Sequence, residues 1–357
     1  MGIIFSASDG GRVVYTYAYM NNDALYEIAR ELLVPGKGLL AADESATTMF
    51  SHLRDVGVAE TDLMQRTYRD MLFSAPGIEQ YLSGVILFDS SMRDATADGI
   101  PFPDILASRG IIPGIKVDKG TLPFNGFPGE VITQGLDGLA ERLKEYYEQG
   151  ARFTKWRAVF TITNDIPSDS VITANAFLLA RYAALVQAQG MVPIVEPEVI
   201  LHGDHSLARS EEVTMRVLQI LFATLREYRV DLKGLILKSS MVLAGDGHKD
   251  QTSPEEVADA TLRTFHLSVP HEVAGIVFLS GGQTPKRSTE NLQAISKMGK
   301  QPWPITFSYS RAIEEPVLAA WKGDVANVPK AQAVLLERCK QNSLAALGAY
   351  KAEEDKT

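Results

Sequence analysis

The 357 residues, 45% of them hydrophobic, suffice for two ordinary domains or one large barrel around a substantial core. A formal net charge of −9 excludes a general attraction to nucleic acid or anionic lipid and leaves room only for local basic pockets. The single cysteine, Cys339, can form no internal disulfide and is too few for a thiolate metal cluster, which fits a reducing cytoplasm.

Residues 1–21 read as an N-terminal extension. Met1–Gly10 has neither a basic start nor a long apolar stretch, so no signal peptide is expected, and no run is expected to reach membrane-spanning length. From residue 22 onward, short runs rich in Val, Ile and Leu alternate with longer amphipathic segments, which is the βα signature. Strands are expected at Gly38–Ser45, Ser83–Asp89, Ile111–Asp118, Arg152–Val159, Met191–Val199, Lys233–Ser240, Glu272–Gly282 and Trp303–Arg311. Between them, Met64–Phe73, Leu136–Tyr147, Ser210–Phe222 and Ser253–Leu262 carry helical spacing, the last with a cap, a first-turn proline and early acids. Val328–Tyr350 reads as a further helix and residues 351–357 as a solvated polar tail. No Pro/Gly/Ser-rich linker divides the chain, so the pattern favours a single-domain (β/α)₈ TIM barrel over residues 22–350, with an open doubly wound sheet as the alternative.

Ionisable residues cluster at the C-terminal ends of these strands, where barrel active sites are built. They are Asp43, Lys116 with Asp118, Lys155 with Arg157, Glu196 with Glu198, Lys238 and Arg311, together with the turn Ser280-Gly281-Gly282. Alternation with period two puts Lys155 and Arg157 on one face, and likewise Glu196 and Glu198, both pairs pointing into the barrel. One charge at a strand end is usually a solvated terminus. Many converging on one mouth point instead to an anionic substrate, because each buried charge costs several kcal/mol unless paired.

A lysine among apolar side chains and other cations loses proton affinity, and its neutral amine can attack a carbonyl to form a Schiff base. Lys238 and Lys155 both qualify. Lys238 is favoured because it follows the apolar Gly234–Leu237 and has no adjacent arginine. Glu196 or Glu198 would then move protons, with Asp43 as a further base across the barrel. The Ser280–Gly282 turn and Arg311 suit a phosphate. The segments His202–His205 and Gly245–Asp250 read as surface loops, not metal sites.

Leu39-Leu-Ala-Ala-Asp-Glu-Ser45, Gly114-Ile-Lys-Val-Asp-Lys-Gly120, Lys155-Trp-Arg157, Pro193-Ile-Val-Glu-Pro-Glu198, Leu237-Lys238, Phe278-Leu-Ser-Gly-Gly-Gln283 and Thr306-Phe-Ser-Tyr309 resemble, in order, the signature segments of class I fructose-bisphosphate aldolase. The resemblance implies a barrel enzyme of glycolysis and gluconeogenesis, needing no metal or other cofactor. It would cleave fructose 1,6-bisphosphate reversibly to dihydroxyacetone phosphate and glyceraldehyde 3-phosphate. It implies Lys238 as the Schiff-base lysine and Glu196 as principal acid/base, with Asp43, Lys155 and Glu198 assisting. Ser280, Gly281, Ser310 and Arg311 would hold the ketone-side phosphate. Lys116, Ser45 and Thr48 would lie toward the aldehyde-side phosphate, with Arg157 lining the same cleft. A small phosphosugar as partner, a cytoplasmic location and a homotetramer also follow from the resemblance, with no nucleic-acid or membrane partner. The chain departs from the family pattern at Ser51 and His52, where a Lys-Arg pair is usual, at Ser239-Ser240 after Lys238, and at Ser310, a usual glycine. The missing cations raise a preference for fructose 1-phosphate as an alternative, beside a weakly catalytic phosphosugar-binding scaffold and another Schiff-base aldolase of transaldolase type. Tyr350 is assigned no part in protonating the enamine.

Overall fold

Strands covered on both faces need continuous apolar runs, and parallel neighbours need crossovers long enough to hold a helix. The eight anticipated runs meet both conditions. A computed structural model describes residues 2–7, 13–18, 22–353 and 355. An antiparallel hairpin of β1 (Gly2–Ala7) and β2 (Val13–Ala18) comes first. The barrel strands β3 (Gly38–Ala42), β4 (Leu82–Leu87) and β5 (Ile112–Lys116) follow. After the small hairpin β6 (Thr121–Pro123) and β7 (Val131–Thr133) come β8 (Phe153–Phe160), β9 (Val192–Val199), β10 (Ile236–Ser239), β11 (Gly275–Phe278) and β12 (Ile305–Tyr309). The eight barrel strands run parallel, and β12 pairs back on β3 through Ser308–Leu39 and Tyr309–Leu40, so the sheet closes as a single-domain (β/α)₈ TIM barrel.

The floor of the barrel is apolar. The helix Asp23–Leu32 lays Leu25, Ala29 and Leu32 across the barrel end, against Leu39, Ile86, Phe153, Ile194, Ile236 and Val277. Phe153 fills the centre because Gly84 on β4 and Gly114 on β5 leave room for its ring. A Cβ on Gly114 would lie 2.3 Å from that ring. Gly114→Ala is therefore expected to cost about 1–3 kcal/mol through overpacking. An unchanged midpoint in chemical denaturation would contradict this account of the barrel centre.

Several boundaries differ from the sequence reading for local reasons. Arg311 opens the helix Arg311–Trp321 and Asp89 the helix Asp89–Arg93, so neither ends a strand; Asp89 there complements the helix dipole. The last long helix, Val328–Ala346, stops before Tyr350, with Gly348 just beyond it at φ 71°. The tail is not wholly solvated: Lys351 and Glu353 are exposed, but the Asp355 side chain is buried 3.0 Å from Arg338 Nη1 and 3.0 Å from the Tyr350 hydroxyl. Charge pairing holds it in.

The helix Asp169–Ala188, 20 residues with a mean hydropathy of 1.4 over its most apolar window, is long and apolar enough to cross a membrane, contrary to the sequence expectation. Of that window, 56% is buried inside the protein. The helix packs on β8, β9 and the helix Leu207–Glu227, so two apolar faces explain its composition.

Candidate active site

Along β8, β9 and β10 the inward positions change from apolar to charged. Phe153 gives way to Lys155, Ile194 to Glu196, and Ile236 to Lys238, each two residues farther toward the C-terminal mouth. Ile236 pairs with Ile194, which brings Lys238 level with Glu196. Lys238 Nζ lies 3.2 Å from Glu196 Oε1. Lys155 Nζ lies 3.0 Å from Glu196 Oε2 and 2.6 Å from Asp43 Oδ2, at the end of β3. None of the four side chains is more than 9% exposed.

Two ammonium groups and two carboxylates leave this buried quartet neutral, the condition under which buried charges are tolerated. Burial pushes the Asp43 carboxyl up, but Lys155 and Lys238 outweigh it and hold it below its ordinary range. Glu196 follows the same balance: burial raises it, and Lys155, Lys238 and Arg157 bring it below the ordinary value. For Lys155 burial disfavours the charge, but Asp43 and Glu196 prevail and raise it far above the usual lysine range. Lys155 is thus a fixed cation between two anions. Glu196 Oε2, buried, receives no directed hydrogen bond despite its nearby ammonium, and is open to a hydroxyl.

Above the quartet opens a cavity of about 990 Å³, within the range of small-molecule sites. It brings together every residue that the family resemblance assigns to the site: Asp43, Ser45, Thr48, Lys116, Lys155, Arg157, Glu196, Glu198, Lys238, Ser280, Gly281, Ser310 and Arg311. Ser51 and His52 are not among its lining residues. Glu198 is committed to Arg157, whose Nε donates to it. That leaves it less free to move protons than the sequence suggested. Ser45 caps the helix Ala46–Asp55, accepting from the Thr48 amide at 3.3 Å, with the two hydroxyls 3.1 Å apart. Gly281 and Gly282 take φ of 56° and 88°, conformations that favour glycine, and a Cβ on Gly282 would lie 3.6 Å from Arg311 Nη2. Arg311 and the start of its helix face this turn at the same end of the cavity.

Asp118, placed at the mouth by the sequence but given no role there, accepts from Lys116 Nζ at 2.6 Å and from the amides of Gly120 and Arg157, both at 3.1 Å, tying β5 to β8. Sequence reasoning missed other parts of the wall. Ser308, on the inward face of β12, lines the cavity with a buried hydroxyl that has no partner, and only its parity with Ser310 hinted at it. Glu44 and Arg93 also line the cavity. Elsewhere, His202 is exposed as expected, whereas the His205 ring is buried and its pKa is lowered by that burial. Among the described residues, no group of three His, Cys, Asp or Glu is placed to hold a metal ion.

The profile of the family described as fructose-bisphosphate aldolase class-I matches residues 24–357. The chain is 50% identical over 333 residues to a probable fructose-bisphosphate aldolase class 1 of Xanthomonas campestris, covering 93% of this chain and all of that protein. It is 45% identical over 338 residues to cytosolic fructose-bisphosphate aldolase 4 of Arabidopsis thaliana, covering 94% of this chain and 86% of the relative. The fold superposes on fructose-bisphosphate aldolase from Plasmodium falciparum, solved with TRAP and a small-molecule inhibitor. The TM-score is 0.92 at 43% identity, covering 94% of this chain and 97% of the other. A closed parallel barrel, a lysine-carboxylate quartet at its mouth and relatives matched over nearly their whole length agree: this chain belongs to the class I fructose-bisphosphate aldolase family.

Proposed function

We propose that Lys238 carries the carbonyl chemistry of a retro-aldol cleavage of fructose 1,6-bisphosphate, with Glu196 as its proton partner. The observation that carries this reading is the asymmetry between the two lysines: Lys155 is bracketed by two carboxylates, while Lys238 meets one, at 3.2 Å, beside an apolar wall. Glu196 takes a proton from the Lys238 ammonium. The freed amine attacks the ketose carbonyl carbon, the Glu196 proton leaves with the carbinolamine hydroxyl as water, and a protonated imine remains. A carboxylate kept ionised by Lys155, Glu196 or Asp43, removes the C4 hydroxyl proton. The C3–C4 bond then breaks and its electron pair is held as an enamine. Protonation at C3 and hydrolysis of the imine return the amine and release the three-carbon ketone.

The Ser280–Gly282 turn with Ser310 and Arg311 would hold the ketone-side phosphate; Lys116, Ser45 and Thr48 would meet the aldehyde side and Arg157 would line the cleft between. Borohydride reduction with dihydroxyacetone phosphate tests the assignment: a covalent adduct on Lys238 supports it. Ligand binding without any adduct would favour a phosphosugar-binding scaffold. A second reading, preference for fructose 1-phosphate, is favoured by Ser51 and His52 standing where the family pattern has a Lys-Arg pair, neither of them in the cavity wall; Lys116 is the cation assigned to that side, though Arg93, Lys119 and Arg142 also line the cavity. If both phosphates are used, Lys116→Met is expected to raise KM for the bisphosphate about tenfold, the loss of one charge-assisted hydrogen bond, and to leave the monophosphate KM nearly unchanged. Equal effects on the two substrates would remove Lys116 from the aldehyde-side subsite. A cytoplasmic homotetramer is part of the same proposal; the Arabidopsis relative is called cytosolic.

A further inference from the structure

Behind the phosphate end of the cavity lies a charge cluster that the proposed chemistry does not use. Glu44, next to Asp43, accepts from the Ser310 hydroxyl with one carboxylate oxygen and from the Arg69 guanidinium with the other. Arg69, on the helix Asp62–Ser74, also donates to Glu314 at 2.9 Å. Glu314 lies in the first turn of the helix that Arg311 opens, its amide bonded to the Ser310 carbonyl. The cluster therefore touches Ser310 twice, once through its side chain and once through its backbone.

The charges do not balance. Arg69, Glu44 and Glu314 are all buried, with side chains no more than 9% exposed, and one guanidinium serves two carboxylates. Glu314 Oε1 and Arg69 Nε are both buried without a partner. The Tyr68 hydroxyl donates to the Glu314 backbone oxygen at 3.3 Å and also meets the Glu314 side chain, and burial raises its pKa well above the usual range, so it stays neutral. With both acids ionised, an uncompensated negative charge would sit buried beside the place assigned to a phosphate dianion. Burial and the neighbouring Glu44 push the Glu314 carboxyl up to about 8, against the pull of Arg69.

We propose that Glu314 and Arg69 are positioning residues for the phosphate subsite: a proton on Glu314 neutralises the cluster, leaves Arg69 matched to Glu44, and makes phosphate binding proton-linked. The proposal rests on the reading of Ser310 and Arg311 as phosphate residues. Its sign follows from charge. A bound dianion favours the protonated, neutral Glu314, so binding draws a proton in. Affinity is full while Glu314 is protonated and falls as pH rises through its ionisation, by at most about tenfold per pH unit for one proton. The side chains facing Glu314 in the cluster are Arg69, Glu44 and Tyr68; Arg69 stays a cation and Tyr68 stays neutral, while the Glu314 carboxyl is raised toward neutral pH.

The test is competitive inhibition of fructose 1,6-bisphosphate cleavage by inorganic phosphate between pH 7 and 9, with Ki expressed for the dianion. In the wild type Ki is expected to rise about fivefold over this range. In Glu314→Gln, which imitates the neutral acid at equal size, it should stay flat within about twofold, with KM following Ki and kcat changing little. Titrations shared by both proteins cancel in the comparison. Parallel slopes in the two proteins, or a loss confined to kcat, would overturn the proposal. Should Glu314→Gln not fold, calorimetry of phosphate binding to the wild type at pH 8 in buffers of different ionisation enthalpy decides the matter. Uptake of a fraction of a proton supports the linkage and none overturns it. Failure of the underlying reading looks different: phosphate would not compete with the sugar at all, whatever the pH.

Discussion

Lys238→Met is expected to lose at least roughly 10⁴-fold in kcat for cleavage of fructose 1,6-bisphosphate and to abolish borohydride trapping by dihydroxyacetone phosphate. Methionine nearly matches the lysine stem in length, and the site is buried above an apolar floor, so the variant should fold. What it lacks is the electron sink. Without an amine there is no imine, and the pair left by the breaking C3–C4 bond has nowhere to go. Without Lys238, Lys155 alone serves Asp43 at 2.6 Å and Glu196 at 3.0 Å, so one negative charge is left unmatched and some stability is lost unless a carboxylate takes up a proton. Steady-state rates and mass spectrometry of the reduced adduct check the prediction. Residual turnover within about tenfold of wild type, or an adduct that persists on Lys155, would give the nucleophile's role to another residue.

The logic of that site was legible in the sequence because barrel geometry converts strand periodicity into position. Once the run ending at Lys238 was read as a strand, period two and the C-terminal mouth fixed where its ammonium would lie, and the same held for Lys155, Glu196 and Asp43. What periodicity cannot supply is pairing across strands. Lys155 and Lys238 both qualified as the amine from the sequence, and only the structure shows that Lys155 contacts Asp43 and Glu196, on strands that lie on opposite sides of β8 around the barrel. Glu198 was expected to move protons, and periodicity gave no sign of its pairing with Arg157. The cluster of Glu44, Arg69 and Glu314 was invisible for the same reason: it joins a strand end to two helices, and Glu44 and Glu314 are 270 residues apart in the chain. Arg69 looked like one polar residue in a helix packing face, and only its burial beside two acids shows otherwise. The fold was legible to within a few residues at strand ends. The largest difference is β11, expected over Glu272–Gly282 and observed as Gly275–Phe278 between loops; others lie where a polar residue begins the next helix, as at Asp89 and Arg311.

Lys155→Met should be the second most damaging change, and for a different reason. It leaves the Schiff-base amine in place but removes the cation that holds Asp43 at 2.6 Å and Glu196 at 3.0 Å. Two buried carboxylates then face one ammonium, Lys238. The protein is expected to lose about 3–5 kcal/mol of stability, the cost of stripping one partner from a buried ion pair, unless a carboxylate takes up a proton instead. That protonation disables the acid/base work, so kcat should fall roughly 10²–10⁴-fold. With Lys155 gone, burial dominates and the ionisation of the two carboxylates moves upward. The residual rate should therefore rise with pH across the neutral range, where the wild type, its carboxylates already ionised, shows no such rise from these groups. Charge balance separates the two effects. Adding Asp43→Asn removes one of the stranded anions, so the double variant should be more stable than Lys155→Met alone while remaining as inactive. Additive losses of stability in this cycle would mean that Lys155 and Asp43 are not coupled as their 2.6 Å contact requires.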